Sequence, residues 1–95
     1  MNLYTIRRRD FWDTPEALQE TAARSAVVGE EMSEDVRWIR SYVVREGSGK
    51  LGTVCIYEGT SAEKVREQAE RAGMPADEIT LVEDTVLVRP DPVRA

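Results

Sequence analysis

The sequence predicts an α+β domain, a four-stranded antiparallel sheet with both of its helices on one face. Three observations carry that prediction. Val36 to Arg45 and Leu51 to Tyr57 are rich in residues that suit a pleated surface, and Glu46-Gly47-Ser48-Gly49-Lys50 between them supplies the turn of a hairpin. A helix signature precedes this hairpin and another follows it. A further strand lies outside each helix. The resulting order is βαββαβ, which short connections and right-handed crossovers close with strand order 4-1-3-2. This is the ferredoxin-like sandwich.

Asn2 to Arg9 reads as the first strand, with Leu3, Tyr4 and Ile6 as its apolar content. Arg7, Arg8 and Arg9 follow one another. Three adjacent arginines suggest an anion site or a nucleic-acid arm. Strand alternation instead sends them to opposite faces with solvated ends, and the acidic balance of the chain favours that reading. Thr14 suits an N-cap, Pro15 the first helical position and Glu16 the positive end of a helix running to about Met32. Leu18, Ala22, Ser25, Ala26 and Gly29 form a narrow stripe of mostly small residues that lets this helix lie close to a sheet. Glu30, Glu31, Glu34 and Asp35 oppose the helix dipole. Glu31, Glu34 and Asp35 are therefore weak carboxylate candidates for a cation, the alternative being a solvated acidic loop.

After the hairpin, Thr60 and Glu63 match a capping box. Ala62, Val65, Ala69 and Ala72 form a buried stripe, and Arg66, Glu67, Glu70 and Arg71 the wet side. Gly73 ends this helix and Pro75 prevents its resumption. Ile79 to Arg89 reads as the last strand, interrupted at Glu83-Asp84. Residues 1–89 make a single domain and 90–95 a flexible C-terminal tail.

A net charge of -5 argues against nucleic acid as a partner, since phosphate binding needs concentrated positive charge. No apolar run approaches the roughly 20 residues that span a bilayer, and the first residues lack the apolar core of a signal peptide, so a cytoplasmic protein is expected. Cys55 is the one cysteine, which excludes an internal disulfide. The chain has no histidine, and so lacks both the usual general base and the commonest transition-metal ligand.

The hairpin lacks a clean polar face. Trp38, Arg40 and Tyr42 alternate with Ile39, Ser41 and Val43, and both sides carry large apolar groups. Helices cover one side; a second subunit, a ligand or both must cover the other. The expectation is a homodimer through the helix-free face, two sheets meeting as a dimeric α+β barrel. Trp38, Arg40, Tyr42, Tyr57 and Glu58 are the candidate ligand residues, close enough across the strands to surround an aromatic or carboxylate-bearing molecule. The same aromatics equally suit the interior of a dimer interface. Cys55 is a ligand or nucleophile candidate if Arg40 reaches it, and a small buried hydrophobe otherwise.

Three segments, Trp38-Ile39-Arg40-Ser41-Tyr42, Cys55-Ile56-Tyr57-Glu58 and Ala72-Gly73-Met74-Pro75-Ala76-Asp77-Glu78-Ile79, resemble a bacterial family catalogued as domain of unknown function 4242. That family includes a nickel-binding protein. The resemblance implies a dimeric ferredoxin-like barrel and nickel as a cofactor. The sequence departs from the family at Gln68, about where members often carry a histidine. Nickel prefers imidazole or thiolate, and beyond Cys55 only carboxylates and backbone groups are offered here. The expected function is binding of a small molecule or metal ion without turnover. A small cyclase, isomerase or monooxygenase using Tyr57, Glu58, Arg40 and Asp77 is the runner-up, and a structural or regulatory interaction module the third reading.

Overall fold

The structure is a computed structural model and describes residues 1–93. Its elements are β1 (Asn2–Trp12), α1 (Pro15–Glu31), β2 (Val36–Arg45), β3 (Leu51–Gly59), α2 (Ala62–Arg71) and β4 (Glu78–Leu81). The four strands form an antiparallel sheet in the order β2-β3-β1-β4, as the sequence predicts. Tyr4, Ile6, Val36, Cys55 and Tyr57 from the sheet pack with Val28, Met32, Val65 and Ala72 from the helices. The core is the layer between them.

Two irregularities decide which side chains enter that layer. Trp38 opposes Tyr57, but Arg40 opposes Ile56, so Ile39 is an extra residue and β2 is bulged. Beyond the bulge Ser41 opposes Cys55 and Val43 opposes Thr53. Since one residue reverses the facing of all that follow, Trp38 and Ser41 share the helix side, while Arg40 and Tyr42 turn to the other. The second irregularity lies in β1, between Arg8 opposite Thr53 and Trp12 opposite Leu51. Asp10 there has φ 53°, a left-handed conformation that aspartate tolerates better than most residues. The strand thus continues three residues past the expected end at Arg9 and delivers Trp12 to the core, where its indole N–H donates to Thr21 Oγ1 at 3.1 Å.

Thr14 caps α1 as expected, its hydroxyl accepting from the Ala17 N–H at 3.1 Å. The buried residues of α1 are Thr21, Ser25 and Val28; of the expected stripe Ser25 is buried and Leu18, Ala22 and Gly29 are half-buried. Ala26 is exposed, because anchoring Thr21 to Trp12 rotates the helix away from it. The cap of α2 is Ser61, whose Oγ accepts from the Lys64 N–H at 3.2 Å, not Thr60, whose hydroxyl donates to Asp35. The buried side of α2 also includes Gln68. Gly73, at φ 77°, ends that helix: its N–H reaches the Glu70 carbonyl, and the Met74 N–H the Ala69 carbonyl.

The last strand is short. Leu81 opposes Tyr4 and the Val82 N–H donates to the Leu3 carbonyl at 2.9 Å, after which β1 has almost no residues left to pair. Residues 82–89 are therefore not the strand expected to run to Arg89, and Val86, Leu87 and Val88 stand 76–87% exposed. Of the expected tail, Arg94 and Ala95 lie outside the described residues, and Asp91 accepts from the Tyr42 hydroxyl at 2.8 Å. In the hairpin loop, Gly49 adopts φ 92°, and the Glu46 N–H donates to the Lys50 carbonyl at 2.8 Å. Gly52 sits under a crowded roof: a Cβ there would meet Glu46 Oε2, and would lie 2.5 Å from the Arg8 carbonyl.

Candidate functional site

A cavity of about 400 Å³ opens between α1 and the β2 side of the sheet. Its walls come from Trp12, Leu18, Ala22, Trp38, Ile39, Val43 and Met74, and its polar groups from Arg8, Ser25, Arg40, Ser41, Thr53, Cys55 and Tyr57. The bulge at Ile39 is what brings Trp38 and Ser41 to the same wall. The Trp38 ring lies nearly parallel to that of Tyr57, centroids 6.2 Å apart and planes 9° apart.

A directed chain of hydrogen bonds runs across this wall. The Trp38 indole N–H donates to Ser41 Oγ at 2.8 Å, and the Ser41 hydroxyl donates to Cys55 Sγ at 3.0 Å. The sulfur receives a second donor, Arg8 Nη1, at 3.3 Å. Deeper in, the Tyr57 hydroxyl and Ser25 Oγ lie 3.4 Å apart, and Gln68 Nε2 donates to Ser25 Oγ at 2.9 Å. Burial pushes the Tyr57 phenol above its ordinary pKa, and the Ser25 contact pulls it partly back.

Arg8 is the feature that sequence reasoning missed. It is 1% exposed. Its Nε donates to the Pro75 carbonyl at 3.0 Å and its Nη1 to Cys55, while Nη2 is buried without a partner. A guanidinium stays charged at any ordinary pH, and taking such a charge out of water without a counter-ion costs on the order of several kcal/mol. Thr53 Oγ1, on the residue opposite Arg8, is also buried without a partner. The signal was present in the sequence: Arg8 keeps the facing of Tyr4 and Ile6, and a strand that buries those two buries its next alternate residue.

The sequence candidates divide between the two faces. Trp38, Cys55, Tyr57 and Arg40 line the cavity, Arg40 at its mouth with a half-exposed side chain. Tyr42 and Glu58 lie away from it, Tyr42 against Asp91 and Glu58 against Arg37 at 3.3 Å. Arg40 neither pairs with Glu58 nor reaches Cys55. In an unbulged strand it would oppose Cys55; the extra residue at Ile39 turns it over, and Arg8 on the neighbouring strand meets the sulfur instead. Asp77 is exposed beyond the cavity. Of the carboxylate candidates, Glu31 accepts from Arg71 at 3.4 Å, Asp35 accepts from Thr60 and lies 3.9 Å from Lys64, and Glu34 is exposed.

A family model described as "Nickel responsive protein SCO4226-like" matches residues 4–82. The chain belongs to that family. Among solved structures it is similar to SCO4226 from Streptomyces coelicolor A3(2), with 28% identity and a TM-score of 0.71 over 88% of this chain and 99% of that one. No curated protein matches the chain. Its SCO4226-like fold and the nickel association of the family name agree with the resemblance drawn from the sequence.

The residues present do not suit a nickel ion. The chain contributes no imidazole, and among the described residues no three of the Cys, Asp and Glu side chains converge. The lone thiol is occupied by a guanidinium, a cation where an ion would need an electron-rich neighbour. Among the described residues no helix is long and apolar enough to cross a membrane.

Proposed function

We propose that this SCO4226-like protein binds a small organic molecule in the cavity between α1 and the sheet, without turning it over. The observation that carries this reading is the cavity itself. Its walls are apolar and aromatic, with a few polar groups fixed by buried hydrogen bonds, and its volume of about 400 Å³ lies within the usual range for ligand pockets. Cys55 and Tyr57 are the reactive groups closest to it, and both are held by neutral or cationic partners rather than by a base. Native mass spectrometry of freshly purified protein tests the reading. The wild type is expected to retain or take up small organic molecules, and Ala22→Phe, which fills the space under α1, is expected to lose them while remaining folded. Equal uptake by both proteins would remove the cavity as the site.

We also propose that the protein functions as a homodimer through the helix-free face. Val54 and Ile56 on that face are only partly covered, and Val86, Leu87 and Val88, beyond the end of β4, are exposed. A second copy would bury both sets and complete a barrel. Sedimentation equilibrium at micromolar concentration is expected to give twice 10.7 kDa. A monodisperse monomer at that concentration would end this part of the reading.

A further inference from the structure

We propose that the molecule held in the cavity is an anion, a monocarboxylate with an apolar body, and that Arg8 supplies its counter-charge. This inference rests on the cavity being a ligand site and adds the class of ligand. Its basis is the sign of the lining. In a chain of net charge -5, the cavity has two arginines and no aspartate or glutamate on its walls. Arg40, at the mouth, has Asp91 at 3.5 Å. Arg8, on the floor, has no carboxylate within salt-bridge distance among the described residues.

The donors of Arg8 show where the missing charge would sit. Nε is held by the Pro75 carbonyl and one Nη1 proton by Cys55 Sγ, which fix the plane of the guanidinium. Nη2 has both of its protons unpartnered, and Nη1 donates to Cys55 alone among the described residues. Two donors on the outer edge of a guanidinium match the two oxygens of a carboxylate. Thr53 Oγ1, on the residue paired with Arg8 and also without a partner, adds a hydroxyl on the same face of the sheet. Trp38 and Leu18 lie on the cavity walls to receive an apolar body. Nearly all of the guanidinium is already out of water, so the desolvation that usually opposes a buried ion pair has been met on its side before the ligand arrives.

The test compares carboxylates with neutral isosteres. Octanoate, phenylacetate and indole-3-acetate are each titrated beside the corresponding primary amide into the full chain, by calorimetry at neutral pH. For whichever skeleton fits, the carboxylate is expected to bind at least tenfold more tightly than the amide. Arg8→Met is expected to abolish that preference while leaving amide binding within about threefold, and Arg8→Lys to keep part of it. Amides that bind as well as their acids would overturn the anion assignment and leave the cavity reading intact. Binding of neither form, with no uptake in native mass spectrometry, would overturn both. If neither variant folds, the acid–amide contrast in the wild type decides alone.

Discussion

Arg7 and Arg8 are neighbours in the chain and differ in almost everything the fold does with them. Arg7 faces the helix-free side, where its Nη2 meets both oxygens of Glu46 at 2.8 and 3.0 Å and its Nη1 meets the carbonyls of Arg8 and Thr53. Arg8 faces the helices and meets a carbonyl and a sulfur, with no negative charge. The first arrangement is finished: every charge has its partner within the chain, and the result is a clamp on the hairpin. The second is unfinished. Complete ion pairs belong to scaffolding, and a buried charge left incomplete on the wall of a cavity is where a binding function is to be sought.

Truncating each arginine should separate the two roles most widely. Arg8→Ala removes a fully buried stem and leaves the Pro75 carbonyl and Cys55 without their donor, and is expected to cost about 3 kcal/mol in urea unfolding. Arg7→Ala, on a partly exposed side chain, is expected to cost about 1–2 kcal/mol. Arg8→Met keeps the stem and drops the charge, so it should recover most of the Arg8→Ala loss. An Arg7→Ala loss larger than that of Arg8→Ala would reverse the comparison.

Smaller effects appear in the pH dependence, with opposite signs on the two faces. On the helix side, burial raises the Tyr57 pKa above its ordinary 10.0. The folded state therefore holds the phenolic proton more tightly, and the stability this represents is complete below pH 10 and lost as pH rises through the folded value. Tyr57→Phe should flatten that alkaline limb of a pH–stability curve, at a cost near neutrality of about 1 kcal/mol for the lost Ser25 contact.

On the helix-free side, the hydrogen bond from Arg7 holds Glu46 below its ordinary 4.5. Its contribution is present above that value and lost as pH falls through the folded one. Glu46→Gln should flatten the acid limb and leave the alkaline limb unchanged. This is the smallest of the expected changes, since part of the pair is reached by solvent. Coincident curves for wild type and Glu46→Gln below pH 5 would mean that the clamp does not hold the hairpin.

Much of the fold was legible because it depends on local chemistry. The loop glycines announced the hairpin, Thr14-Pro15 and Gly73 marked helix ends, and the element order led to the sheet order. The site was less legible because it depends on facing. Val36 to Val44 carries apolar residues on both parities, so no pattern in it betrays the extra residue at Ile39. That one residue separates Trp38, beside Tyr57 at the cavity, from Arg40, which opposes Ile56 and not Cys55. The length of β4 was hidden for a different reason, since it is set by where β1 starts and not by the strand propensity of Val86 to Val88. Thr60 and Ser61 are both good caps, and the choice between them fell to Asp35, which claims the Thr60 hydroxyl.

The two ends of the hairpin loop differ in one further way. Gly47 has no atom within 4 Å of where a side chain would begin, whereas Gly52, five residues on, is roofed by Glu46 and the Arg7 guanidinium. For an engineer this makes the hairpin a handle with a fixed base. A fluorophore or an epitope spliced in at Gly47 would ride outside the sheet, and the crowded ring at Gly52 would keep the splice from propagating a slip in register toward Cys55 and the cavity. Occupancy of the cavity could then be read as a visible signal from the far end of the same two strands.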